Sequence, residues 1–158
     1  MTTCCLTMAS QYIKKWRKTN MNRMEKYPET KTFHYYNANP KGRITGDCCF
    51  RAMAVALNQD YNETLKEMVE VMCKTGYALN DTKGVEAYFK TKGIAKMKQP
   101  RKSDGTKYTC GEFCETIAKK GKRYFICVAN HFIAVVDKKA WDIWNSTGKT
   151  VGNYYEMP

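Results

Sequence analysis

From Asp47 onward the hydrophobic pattern of this chain changes period once, near residue 122, and that change constrains the fold more than any other feature. From Asp47 to about Lys120, apart from a basic, polar connector over 95–107, apolar residues recur at helical spacing. Cys49, Met53 and Leu57 fall at i, i+4 and i+8 with Ala52 and Ala56 beside them, which predicts one buried helical stripe. Asp60 with Glu63 opens a second helix through about Lys74; Leu65, Met68, Val69 and Met72 form its core face, and Gly76 stops it. Asp81 or Thr82 caps a third, with Val85, Tyr88 and Phe89 inward and Gly93 at its end. Thr109 with Glu112 caps a fourth, built on Phe113, Cys114 and Ile117 and ended by Gly121. Beyond that point 123–129 and 131–136 are β-branched and aromatic, and 140–144 reads as a third strand. Helices followed by an antiparallel sheet predict an α+β fold.

The 158 residues suffice for one domain with a real core. No apolar run approaches the roughly 20 residues of a membrane span, and residues 1–10 lack the pattern of an export signal, so a cytoplasmic location is expected. In that setting the eight cysteines read as free thiols rather than disulfides. Cys110 and Cys114 are four apart, but no pair at zinc-site spacing follows them. Together with Cys73 and Cys127 they read as buried small hydrophobes, and no metal or other cofactor is expected.

The net charge of +12 is unevenly placed. Residues 1–43 carry nine Lys/Arg against two Glu, and residues 90–107 carry seven against one Asp, whereas residues 44–89 are net acidic. Such flanks suit an acidic partner or nucleic acid, or simply a solubilising surface. A short basic helix is expected over 11–18, with Tyr12, Ile13 and Trp16 on one face, and Thr32 to Tyr36 looks extended. The chain therefore divides into a basic segment, 1–34, packed on a single domain, 35–158.

Only two histidines are present, His34 and His131. His131 interrupts an apolar strand, where a lone histidine is often a hydrogen-bonded core residue. About eighty residues earlier, Gly46-Asp47-Cys48 reads as a turn and N-cap with Cys48 at the first helical position. The helix dipole and free amides there favour a thiolate, and an imidazolium favours it further; the Asp47 carboxylate works against it. Cys49 lies on the apolar stripe and faces the core, while Cys48, about 100° around the helix, faces a cleft. If Asp137-Lys138-Lys139 is a three-residue loop, Val136 pairs with Ala140 and Asn145 falls opposite His131, placed to orient the ring. Asp142, the rival third member, then lies roughly 10 Å along the strand on the other face. The choice depends on loop length.

A cysteine at a helix start, with His131 and Asn145 on later strands, resembles the papain-like cysteine peptidase superfamily. The run Trp144-Asn145-Ser146-Thr147-Gly148 is similar to the stretch around that family's asparagine. Asn39-Pro40-Lys41, Gly46-Asp47-Cys48 with Arg51-Ala52, and His131…Asp137…Asp142…Asn145 more closely resemble small uncharacterised cysteine-peptidase-like proteins of bacteriophages, over about residues 35–155. The phage relatives tend to carry Asp where this chain has Asn145. The resemblance implies a papain-like fold, with helices carrying Cys48 and a sheet carrying His131 and Asn145. It implies a thiol hydrolase, either a cysteine peptidase or an amidase or deubiquitinase-like isopeptidase, acting on a host or viral protein in the host cytoplasm. The family's oxyanion-hole glutamine has no counterpart in residues 41–47; Asn39 is the candidate, with a turn role as its alternative. Two other functions fit the same residues: a catalytically silent binding protein using the basic surface, and a thiol acyltransferase of transglutaminase type.

Overall fold

The computed structural model describes residues 21–78 and 80–158. The short helix expected over 11–18 lies outside them. Residues 21–26 are helical. Strand β1 (Phe33–Tyr35) comes next, and four more helices follow: α1 (Cys48–Leu57), α2 (Tyr61–Thr75), α3 (Thr82–Thr91) and α4 (Cys110–Thr116). Then come β2 (Arg123–Val128), β3 (His131–Val136), β4 (Lys139–Asp142) and β5 (Val151–Glu156). The fold is α+β, with one five-stranded sheet in the order β1-β4-β3-β2-β5.

The sheet is mixed rather than antiparallel throughout, because β1 joins its edge parallel to β4, Phe33 opposite Ala140 and Tyr35 opposite Asp142. The expected boundary at residue 34 thus runs through a strand of the domain. The other edge, β5, has no counterpart in the sequence reading; Gly152 and Asn153 dilute its apolar alternation. Among the described residues no helix is long and apolar enough to cross a membrane.

Side-chain alternation along the strands feeds two cores. Phe125, Phe132, Ala134, Val136 and Tyr155 meet α1, α2 and α3 on one face of the sheet. Tyr124, Ile126, Ile133, Val135 and Val151 meet Cys110, Phe113 and Cys114 of α4 on the other. Phe33, Tyr35 and Ile143 form a third cluster at the β1 edge.

Helix α1 is the centre of the first core. Cys49 and every residue from Arg51 to Ala56 are buried, so the expected stripe has widened to nearly the whole circumference, and Leu57 is only half-buried. Alanines at 52, 54 and 56 let the sheet and α2 approach closely. Asn58 ends the helix in the left-handed region at φ 54°. Helix α2 is the opposite case: Met68 and Thr64 are buried, whereas Val69 is exposed and Leu65 and Met72 are half-exposed. Its expected four-residue face is wider than the surface available to cover it. The caps follow the sequence closely. Asp60 accepts from the amides of Asn62 and Glu63, Asp81 from that of Lys83, and Thr109 with Glu112 closes a reciprocal capping box.

Candidate active site

Cys48 is the first residue of α1 and Asp47 its N-cap, with φ −103° and ψ 25°. Unlike those of Asp60 and Asp81, the Asp47 side chain caps none of its helix's amides. Its carboxylate turns away and accepts from Asn39 Nδ2 at 2.8 Å and from the Tyr61 hydroxyl at 2.8 Å. The buried Arg51 guanidinium, one helical turn on, pairs with its other oxygen. The first helical bond is Arg51 N–H to the Asp47 carbonyl, at 3.1 Å. The amides of Cys48, Cys49 and Phe50 donate to no described residue, which leaves three open donors at the positive end of the helix.

His131 opens β3 directly after Asn130, whose φ of 55° turns the chain back from β2. Its Nε2 lies 2.6 Å from Asp142 Oδ2 at the end of β4. The third member facing the ring is therefore Asp142, and the expectation of Asn145 is corrected. The reason is a single residue of loop. Asp137 and Lys138 alone make the turn, with φ 48° and 67°, so Val136 pairs with Lys139 and Ala134 with Trp141. A one-residue change of register exchanges the two faces of a strand. Asp142 now shares the side of His131, and the ladder ends before residue 145. Asn145 is exposed and accepts from the Thr147 amide at 3.2 Å and hydroxyl at 2.6 Å, closing its own turn.

Two groups fix Asp142 in turn. The fully buried Ser146 hydroxyl donates to Oδ2 at 2.7 Å, and the Ile143 amide donates to Oδ1 at 2.7 Å. Trp144 covers the imidazole, ring centroids 5.1 Å apart, and the Lys149 ammonium lies 6.0 Å from the Trp144 ring. With Nε2 engaged by Asp142, Nδ1 is the ring nitrogen left for the thiol.

The electrostatics follow from this packing. Burial pushes the Cys48 thiol up, but the hydrogen bond and charge of His131, with the Phe132 amide, outweigh burial and hold it below its ordinary value; Asp142 acts weakly against them. Burial pushes His131 down, yet its bonds to Asp142 and Cys48 and their charges raise it to about 9. Both shifts favour thiolate and imidazolium together. Three buried or half-buried thiols go the opposite way. Burial raises Cys49 far above the usual range and Cys127 to about 12, and the bond with Cys114, then burial, raise Cys110. The Asp47 carboxylate is turned toward Asn39, Tyr61 and Arg51 and caps none of the amides beside the thiol.

Asn39 is buried and both ends of its amide are employed. Nδ2 faces Asp47 and, at 3.4 Å, Tyr61, while Oδ1 accepts from the Lys41 amide at 2.9 Å. It holds the turn and the N-cap rather than an open donor, which corrects the expectation of an oxyanion role. Cys73, expected among buried thiols, is exposed on α2. In the basic stretch 90–107, Lys92, Lys96 and Lys102 are paired with Glu67, Glu86 and Glu112. Sequence reasoning missed Arg51, Tyr61 and Ser146 as parts of the site. Arg51 carried a signal, a cation at an otherwise apolar helical position four residues after Asp47.

No protein-family model matches the chain, and neither the curated proteins nor the solved structures compared with it give a match.

Proposed function

We propose that this protein is a small papain-like cysteine hydrolase that cleaves an amide or isopeptide bond in a protein or peptide, with Cys48 as nucleophile, His131 as base and acid, and Asp142 orienting the imidazole. The observation that carries the reading is a thiol at an uncapped helix start facing a histidine whose far nitrogen is bound by a buried carboxylate. The surroundings of Cys48 lower its pKa, and a lowered pKa makes a thiol a nucleophile near neutral pH.

In the reaction, Cys48 Sγ attacks the carbonyl carbon, and the carbonyl π electrons move to oxygen. The amides of Cys48, Cys49 and Phe50 are the donors available to that oxyanion. As the C–N bond breaks, the nitrogen leaves with the proton from His131 Nδ1, and a thioester remains on Cys48. Water then attacks, giving its proton to Nδ1, and the thiol is released with the acid. Asp142 fixes the ring and stabilises the imidazolium, and Ser146 fixes Asp142. The resemblance to bacteriophage proteins makes a host or viral protein in the host cytoplasm the proposed substrate.

The test is competitive alkylation near neutral pH, read site by site by mass spectrometry. Cys48 reacts ahead of Cys49 and Cys127, and His131→Ala abolishes its lead. Equal reactivity of the three thiols would sink the enzyme reading. Full biological activity in Cys48→Ala would leave a binding protein, and transfer of the acyl group to an added amine in preference to water would make the enzyme an acyltransferase.

A further inference from the structure

We propose that Asn39, Tyr61 and Arg51 are positioning residues that hold the Asp47 carboxylate off the start of α1, keeping that helix end open to a substrate's acyl oxygen. The inference rests on the reading of Cys48 as nucleophile.

An aspartate at a helix N-cap has a default use, and this molecule displays it. Asp60 binds the amides two and three positions on, Asn62 at 2.8 Å and Glu63 at 3.0 Å. Asp81 binds the amide two positions on, Lys83 at 2.7 Å. The corresponding amides in α1 are Cys49 and Phe50, next to the thiol. A carboxylate on them would occupy the donors that an oxyanion needs and set a negative charge beside the thiolate. Asp47 stands at the same position with the same side chain and takes neither.

Three partners from three places hold it away. Asn39 comes from the turn before α1, Arg51 from the second turn of α1 and Tyr61 from the first residue of α2. Together they supply an amide, a cation and a phenol to a side chain that is only 8% exposed. Each partner is anchored elsewhere. Asn39 accepts from Lys41, Arg51 donates to the Thr45 carbonyl at 3.3 Å, and the Tyr61 ring packs edge-on against Phe50 at 6.5 Å. His131 from β3 and Asp142 from β4 act on Cys48, with the neutral Phe132 amide beside them. The Asp47 carboxylate, the nearest in sequence, is taken up by Asn39, Tyr61 and Arg51.

The test is the pH dependence of Cys48 alkylation by iodoacetamide in Tyr61→Phe, Asn39→Ala, Asp47→Asn and the double variant Tyr61→Phe/Asp47→Asn. Each variant is first checked for cooperative unfolding in urea. Releasing the carboxylate should slow Cys48 at about pH 6 roughly tenfold in Tyr61→Phe and Asn39→Ala, equivalent to a rise of about one unit in thiol pKa. Asp47→Asn should react like the wild type, and in its background Tyr61→Phe should have no further effect. Tyr61→Phe keeps the ring and its packing, so it decides the matter if Asn39→Ala does not fold. Wild-type rates in Tyr61→Phe overturn the inference, and so does a slowing that persists without the Asp47 charge, because the network then acts through structure alone. A wild-type Cys48 no faster than Cys127 removes the proposed function as well, whereas a fast Cys48 indifferent to these variants removes only the inference.

Discussion

Helices α1 and α2 both start at an aspartate, and the two carboxylates have opposite employment. Asp60 is exposed and closes the end of α2 on two amides. Asp47 is buried, leaves the end of α1 open and spends its charge on a network with Asn39, Tyr61 and Arg51. The first arrangement is a local device, complete within four residues. The second needs three segments to meet and forgoes the stability of a cap, typically about 1 kcal/mol. What differs is what stands at the two ends: the first amides of α2 are closed by Asp60, while α1 begins with the thiol that faces His131.

The largest effect is expected at Arg51. Removing one member of a buried ion pair strands the other, so Arg51→Met should lower unfolding free energy by about 3–5 kcal/mol in urea titrations. A loss under about 1 kcal/mol would mean that Asp47 is held by hydrogen bonds alone and that the contrast with α2 is smaller than drawn.

A second expectation concerns pH. His131 is raised from 6.5 to about 9, so the folded chain holds that proton more tightly than the unfolded one. The resulting stabilisation is complete below about 6.5 and is lost as pH rises through about 9. Urea midpoints should fall across that window in the wild type and much less in Asp142→Asn. Equal slopes in the two proteins would detach the imidazole from its carboxylate.

Asp60→Ala should cost about 1 kcal/mol and leave the alkylation rate of Cys48 untouched, since its work is confined to α2. A slower Cys48 in that variant would show that the two helix starts are not independent. Smallest of all, Asn145→Ala should change stability by less than about 0.5 kcal/mol and leave Cys48 reactivity intact, its amide being spent on an exposed turn. Loss of reactivity there would restore Asn145 to the site.

The parts legible in the sequence are those set by local chemistry. Asp60, Asp81, the Thr109–Glu112 box and Gly76 mark helix ends because a cap is decided within a few residues. The thiol at position one of α1 was legible for the same reason. The identity of the third residue was not, because it hangs on a turn whose sequence, Asp137-Lys138, lacks the Asn-Gly signature of a two-residue hairpin. That turn is held from outside: Asp137 accepts from the Gly121 amide at 2.7 Å and Lys138 donates to the Glu115 carbonyl at 3.0 Å. The use of Asp47 was illegible likewise, since Tyr61 lies beyond α1 and nothing local announces its hydroxyl. The exposed Val69 illustrates the converse: a helical stripe says which residues share a face, and only the neighbouring elements say how much of that face is covered.

The parallel pairing of β1 with β4 also bears on when the site assembles during synthesis. Phe33 has no strand partner until Ala140 has been made, and the turn carrying Asn39 follows that strand directly. Closing so long a loop is an entropic cost that only late contacts repay. Residues through Asp142 must therefore leave the ribosome before the thiol, His131 and the edge strand come together. Until then Cys48 is without the imidazole that lowers its pKa, and the nascent polypeptide carries it as an ordinary thiol.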